Sequence, residues 1–137
     1  RNFKISKGDP PMGIQESGEN YLETILILRE RNGSVRSIDL AREMEYSKPS
    51  VSRAVNILKD RNYINIDEKG YLSLTEEGQK LAESLYERHK LLSECFIALG
   101  VDVKTAREDA CKIEHVISEK CFEKIKEHYN KNREDQI

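Results

Sequence analysis

Tyr63-Ile64-Asn65-Ile66 and Tyr71-Leu72-Ser73-Leu74 alternate apolar and polar side chains around Asp67-Glu68-Lys69-Gly70. Period-two alternation around a turn-forming centre predicts a β-hairpin. A lone hairpin is barely stable in water, so this one must pack against helices. The residues before it supply them. Tyr21, Leu22, Ile25, Leu26 and Leu28 recur at helical spacing, and Asn32-Gly33 stops that run. Ser37 is expected to cap a second helix bearing Ile38, Leu40, Ala41 and Met44, with Glu45-Tyr46-Ser47 as a turn. Ser47 then caps a third helix with Pro49 in its first turn, where a missing N–H costs little. Its buried face is expected to be Val51, Ala54, Val55 and Leu58.

Beyond the hairpin, Thr75 caps a long helix from Glu76 to about Leu99, ended by Gly100. Further helices are expected from Val103 to Val116 and from Ser118 to His128, with a polar, fraying tail from Asn130. The fold class is therefore mostly α: an N-terminal winged helix-turn-helix with a small hairpin wing, then an all-helical domain. The expected boundaries are a flexible arm over 1–17, the winged helix over 18–75, the helical domain over 76–128 and a polar tail over 129–137. Met12 is expected as the natural start, with the residues before it left from cloning.

Composition excludes several classes. The longest aliphatic run is Ile25-Leu26-Ile27-Leu28, far short of the roughly 18 apolar residues a membrane span needs. No basic head followed by an apolar stretch opens the chain, so a cytoplasmic protein without membrane partners is expected. Three cysteines without a CxxC pair argue against a disulfide scaffold and a zinc ribbon. There is no HExxH, no nucleophile elbow and no glycine-rich phosphate loop, so neither an enzyme nor a small-molecule substrate is expected.

The net charge of −2 excludes a wholly basic DNA coat but not a local basic surface. Between Ser47 and Arg61 four basic residues (Lys48, Arg53, Lys59, Arg61) face one acid, Asp60, a local net of +3. A winged helix-turn-helix places its third helix in the major groove. The exposed residues of that helix by spacing are Lys48, Ser50, Ser52, Arg53, Asn56 and Lys59, with Ser47 and Pro49 at its start. Lysine and arginine bind phosphate, arginine can fork onto guanine, and asparagine can pair with adenine. Lys69 at the hairpin tip suits a wing contact, and Arg36 and Ser37 are secondary phosphate candidates. A winged helix that docks protein would show the same polar face.

A second signal is Cys111-Lys112-Ile113-Glu114-His115. On a helix, positions i, i+3 and i+4 share one face, so Cys111, Glu114 and His115 would project together. A thiolate, a carboxylate and an imidazole form a ligand set for a divalent transition metal. His89 on the long helix and Glu23 on the first are further candidates. A lone helical cysteine is more commonly a small core residue, and Cys95, Cys121 and His128 are read as structural or surface residues of no special role.

The element order resembles the diphtheria-toxin-repressor family of iron- and manganese-dependent repressors. The motifs that carry the resemblance are Glu19-Asn20-Tyr21-Leu22-Glu23, Ser47-Lys48-Pro49-Ser50-Val51-Ser52, Leu74-Thr75-Glu76-Glu77-Gly78, Arg88-His89 and Ala110-Cys111-Lys112-Ile113-Glu114-His115, spanning Gly18 to His128. The resemblance implies a metal-activated repressor of metal homeostasis. It binds a palindromic double-stranded DNA operator as a homodimer when a divalent metal sits between the two domains. It implies the short form without a third, barrel-like domain. The implied ligands are Glu23, His89, Cys111, Glu114 and His115, with Asn20 at a further ligand position.

That ligand set is mixed. Asn20 stands where the manganese-type pattern has aspartate and the iron-type methionine. Cys111 is the iron-type residue, and Glu23 matches the manganese type. The iron type's ancillary site would use His89 with Ser93 and Arg107, a poor ligand and a non-ligand. A thiolate favours Fe(II) over the harder Mn(II), with Zn(II), Co(II) or Ni(II) as surrogates. The alternative is a metal-independent winged-helix regulator that senses a small molecule or an oxidant through Cys111. The dimer surface is expected on the last two helices, among Ala106, Ala110, Ile113, Val116, Ile117, Phe122 and Ile125, some of which must instead pack within the chain.

Overall fold

The structure, a computed structural model, describes residues 16–135. Met12 and the expected arm lie outside the described residues except at 16 and 17, which belong to α1 and so correct the arm's expected end. The order is α1 (Glu16–Asn32), α2 (Ser37–Met44), α3 (Lys48–Asp60), β1 (Ile64–Ile66), β2 (Leu72–Leu74), α4 (Glu76–Ala98), α5 (Val103–Ile113) and α6 (Glu119–Asp135). The chain divides into two compact units between Ser84 and Leu85, inside α4. Among the described residues no helix is long and apolar enough to cross a membrane.

In the first unit, α1 buries Tyr21, Leu22, Ile25, Leu26 and Leu28, the stripe its periodicity predicts. It ends at Gly33, whose φ of +83° suits a left-handed C-cap and whose N–H returns to the Arg29 carbonyl at 2.8 Å. The cap of α2 differs from expectation. Arg36, not Ser37, is the N-cap residue, and the Asp39 carboxylate closes the turn by accepting from the Arg36 N–H at 2.9 Å. Ser47 caps α3 as expected, its Oγ accepting from the Ser50 N–H at 3.3 Å.

The hairpin pairs antiparallel with Ile64 opposite Leu74, Asn65 opposite Ser73 and Ile66 opposite Leu72. Asp67 organises its tip. Its Oδ1 accepts from the Lys69 and Tyr71 N–H groups at 2.9 and 2.8 Å, and Gly70 takes φ +86°. The inward residues Ile64 and Leu72 join Leu22, Ile25, Val35, Leu40 and Val51, all fully buried. Each such side chain contributes about 1.5–3 kcal/mol of burial. The wing is also tied at its edge: the Leu72 N–H donates to the Val35 carbonyl, and Arg29 donates to the Leu72 carbonyl, both at 2.8 Å.

Thr75 starts α4 with three bonds. Its Oγ1 accepts from the Gly78 N–H at 3.1 Å and donates to the Asn62 carbonyl at 2.8 Å, while its own N–H donates to the Tyr63 carbonyl at 3.0 Å.

The second unit holds the rest of α4 with α5 and α6. Gly100, at φ +102°, ends α4. Asp102 caps α5 by accepting from the Thr105 N–H at 3.0 Å, and that bond holds its carboxyl below the usual value. Two expectations are corrected. α5 ends at Ile113, with Glu114 as its C-cap, so His115 and Val116 lie in a following turn. α6 runs on through the supposed tail to Asp135; its side chains pair along the surface, as in Lys124–Glu127. The supposed dimer residues Ala106, Ala110 and Phe122 are buried within the chain.

Candidate metal centre and nucleic-acid interface

Lys48, Pro49, Ser50, Ser52, Arg53, Asn56 and Lys59 are all exposed on α3, while Val51, Val55 and Leu58 are buried on the other side. The helix thus presents one basic, hydrogen-bonding face. The Ser47 hydroxyl is engaged in the cap, accepting from the Ser50 N–H and donating to the Ser50 hydroxyl at 2.9 Å. Ile57, which the sequence reading passed over, is exposed one turn beyond Arg53, and its apolar surface is of the kind that meets a thymine methyl. A cavity of about 410 Å³ opens beside this helix, lined among others by Tyr21, Tyr46, Ser50, Arg53 and Ile57. Burial, and secondarily Tyr46, pushes the Tyr21 phenol up to about 12, so it stays neutral.

Lys69 stands exposed at the hairpin tip. Arg36 is exposed, but its guanidinium lies 4.3 Å from the centroid of the Tyr71 ring, and the two residues also bridge as strand partners. Such stacking limits the rotamers of a long side chain that carries a phosphate-binding head. Tyr71 is therefore a partner of Arg36 that the sequence reading missed. No local spacing links it to Arg36; only strand pairing does. Ser37 is half-buried, in the first turn of α2.

Among the ligand candidates of the second unit, His89, Cys111 and Glu114 come together, and His115 meets Glu114 from its other side. Glu114 has no exposed surface. Its Oε2 lies 3.0 Å from His89 Nδ1 and its Oε1 3.3 Å from His115 Nε2. Cys111 Sγ lies 3.6 Å from the same His89 Nδ1. One carboxylate thus joins two imidazoles, with a thiol beside the first. His89, Cys111 and Glu114 each offer one donor atom within 4.8 Å of the others.

These separations can be tested against what a metal requires. Around an ion with bonds of about 2.0–2.3 Å, neighbouring ligand atoms stand about 3.3–3.8 Å apart in a tetrahedral shell and about 2.8–3.3 Å apart in an octahedral one. The 3.6 Å Cys111–His89 separation falls in the first range and the 3.0 Å Glu114–His89 separation in the second. A buried carboxylate, an imidazole and a thiol are also a donor set that suits a divalent first-row cation. The residues fit the group. Asn20 and Glu23 lie in the first unit, one turn apart on α1, and both are buried.

Residues 14–72 match the family model for the iron dependent repressor N-terminal DNA binding domain, and residues 75–136 that for its metal binding and dimerisation domain. The HTH-type transcriptional regulator MntR of Shouchella clausii is 35% identical over 109 residues, 80% of this chain and 76% of that protein. An uncharacterised HTH-type transcriptional regulator of Methanocaldococcus jannaschii is 32% identical over 115 residues, 82% of this chain and 92% of that one. The solved structure of the manganese regulator SloR aligns with a TM-score of 0.75 at 31% identity, over 82% of this chain and 53% of that one. The chain spans about half the length of that structure. Two family models that between them cover the described fold, with relatives above 30% identity, place the chain in the iron-dependent repressor family of metal-dependent transcriptional regulators.

Proposed function

We propose that this chain is a metal-activated repressor that grips a palindromic operator as a homodimer. The observation that carries the reading is the buried Glu114 carboxylate held between His89 and His115, with Cys111 beside His89. A bound divalent cation supplies concentrated positive charge, which lets buried carboxylate and thiolate stay ionised together. His89, Cys111, Glu114 and His115 would hold it from the second unit. Glu23, with Asn20 beside it, would add donors from the first. Shared ligation would limit the arrangements the two winged helices sample and so lower the entropic cost of docking on two half-sites.

On the operator, Arg53 and Asn56 would read base edges, while Lys48, Ser50, Ser52, Lys69 and Arg36 would bind the backbone. The metal we infer is Fe(II) ahead of Mn(II). Manganese regulators are among the relatives, but Cys111 is the residue of the iron-type pattern, and a thiolate favours the softer ion. Metal supply in the cell sets occupancy as much as ligand type does.

Glu23→Ala tests the shared ligation. Its metal-dependent affinity for a palindrome selected from random duplexes should fall about tenfold or more, with the dimer mass unchanged. Binding equal to wild type at equal metal would defeat the idea.

The dimer seam is inferred at the α4–α5 corner, where Ile97, Leu99 and Val103 are exposed, Leu99 to 81%. Exposed aliphatic side chains grouped in this way mark an association surface. Leu99→Glu should shift sedimentation from dimer towards monomer; an unchanged dimer at micromolar protein would place the seam elsewhere.

A further inference from the structure

The turn that follows α5 carries both Glu114 and His115. The final carbonyls of a helix find no partner within it. Here two carbonyls of the turn, those of Glu114 and Ile117, accept from one group, Nη1 of Arg88, at 3.3 and 3.0 Å. Arg88 immediately precedes His89 on α4. Its guanidinium also lies 5.5 Å from the centroid of the ring of Phe122, which is buried on α6. A single side chain therefore joins the backbone of the ligand-bearing turn to the residue beside the first ligand.

The alternatives for holding this turn are few. Cys111 is placed by α5 itself. Past Ile113 the Val116 and Ile117 N–H groups both donate to the Ile113 carbonyl, at 3.0 and 2.9 Å. Those bonds close the turn locally but do not set its distance from α4. The Arg88 bonds do.

We propose that Arg88 is a positioning residue for the metal centre. Its guanidinium holds the Glu114–Ile117 turn against α4 and so presets the separation of His89 from Glu114. It acts through backbone carbonyls, not through the ligand side chains. Partners that orient ligands typically change metal affinity 10–100-fold when removed. A guanidinium is planar and always charged, and one of its nitrogens, Nη1, serves both carbonyls from a fixed plane; lysine keeps the charge but carries it as a rotating ammonium on a flexible stem. The proposal rests on the reading of this cluster as a metal centre.

The test is anaerobic Co(II) titration of the full chain as wild type, Arg88→Lys and Arg88→Met. A near-ultraviolet thiolate-to-cobalt band reports Cys111 ligation, and the visible d–d bands report coordination geometry. Far-ultraviolet circular dichroism of the metal-free proteins reports folding. Wild type should show both sets of bands. Arg88→Met should keep its helical signal, bind Co(II) about tenfold or more weakly, and show shifted d–d bands; Arg88→Lys should recover part of the loss. Wild-type affinity and spectrum in both variants would overturn the proposal. If Arg88→Met does not fold, Arg88→Lys decides on the same criterion. A wild type without cobalt bands would instead strike the metal-centre reading itself.

Discussion

Glu114→Gln is expected to abolish metal-activated DNA binding while leaving the fold and the dimer in place. The substitution preserves shape and removes one charge. That charge matters because the side chain has no exposed surface and stands between His89 and His115 at 3.0 and 3.3 Å. A carboxylate offers an anionic oxygen to each side. An amide offers one neutral oxygen, and its NH₂ group must then face an imidazole or a cation. Metal affinity should fall about 100-fold or more, above the usual effect of an outer partner. Calorimetric titration with Mn(II) or Co(II), alongside anisotropy of a labelled operator, reads both consequences. A Glu114→Gln variant whose operator affinity rises with metal as in wild type would remove Glu114 from the ligand set. Ligand deprotonation also couples metal binding to pH, so wild-type affinity should weaken as pH falls.

Gly78→Ala should produce the largest loss of stability. A Cβ at Gly78 would lie 2.0 Å from the Tyr63 carbonyl oxygen and 3.0 Å from its carbon. That oxygen is not free to retreat, because it accepts from the Thr75 N–H at 3.0 Å. Relief requires breaking the bond and lifting the first turn of α4 away from the start of the hairpin. Overpacking costs about 1–3 kcal/mol, and the lost bond adds about 1 kcal/mol. A destabilisation of about 3 kcal/mol or more corresponds to a fall in Tm of roughly 10 °C for a chain of this size. Thermal melts followed by circular dichroism measure it. A melt within about 2 °C of wild type, less than about 1 kcal/mol, would show that the start of α4 yields more easily than its bonds imply.

What could be read from the sequence was local. Ser47 and Thr75 sit beside the N–H groups they satisfy, and the hairpin's alternation specifies its register, since a one-residue slip would expose Ile64 and Leu72. Cys111 and Glu114 were legible as neighbours from helical spacing, whereas His115, past the end of α5, meets Glu114 but not the group that Glu114 forms with His89 and Cys111. Long-range contacts were not. Nothing in the Arg88-His89 pair announces two bonds to a turn 26 and 29 residues away. Tyr71 stacks on Arg36 only because strand pairing brings them together. Ser37 looked like a cap because serine commonly is one, but Asp39 reaches back to Arg36 and moves the boundary. Charged and polar residues after His128 resembled a tail, yet α6 continues through them, with Asn132 and His128 in contact one turn apart at 3.1 Å. Ala106 and Ala110 were apolar enough for either an interface or a core, and only packing could assign them.

Selection from random DNA duplexes under anaerobic conditions, with and without Fe(II), Mn(II) and Zn(II), reads metal-activated operator binding itself. One palindrome is expected, enriched only when metal is present, with Fe(II) effective at the lowest concentration. The same palindrome enriched equally without metal would contradict it, leaving the winged helix as a DNA reader and removing His89, Cys111 and Glu114 from its control.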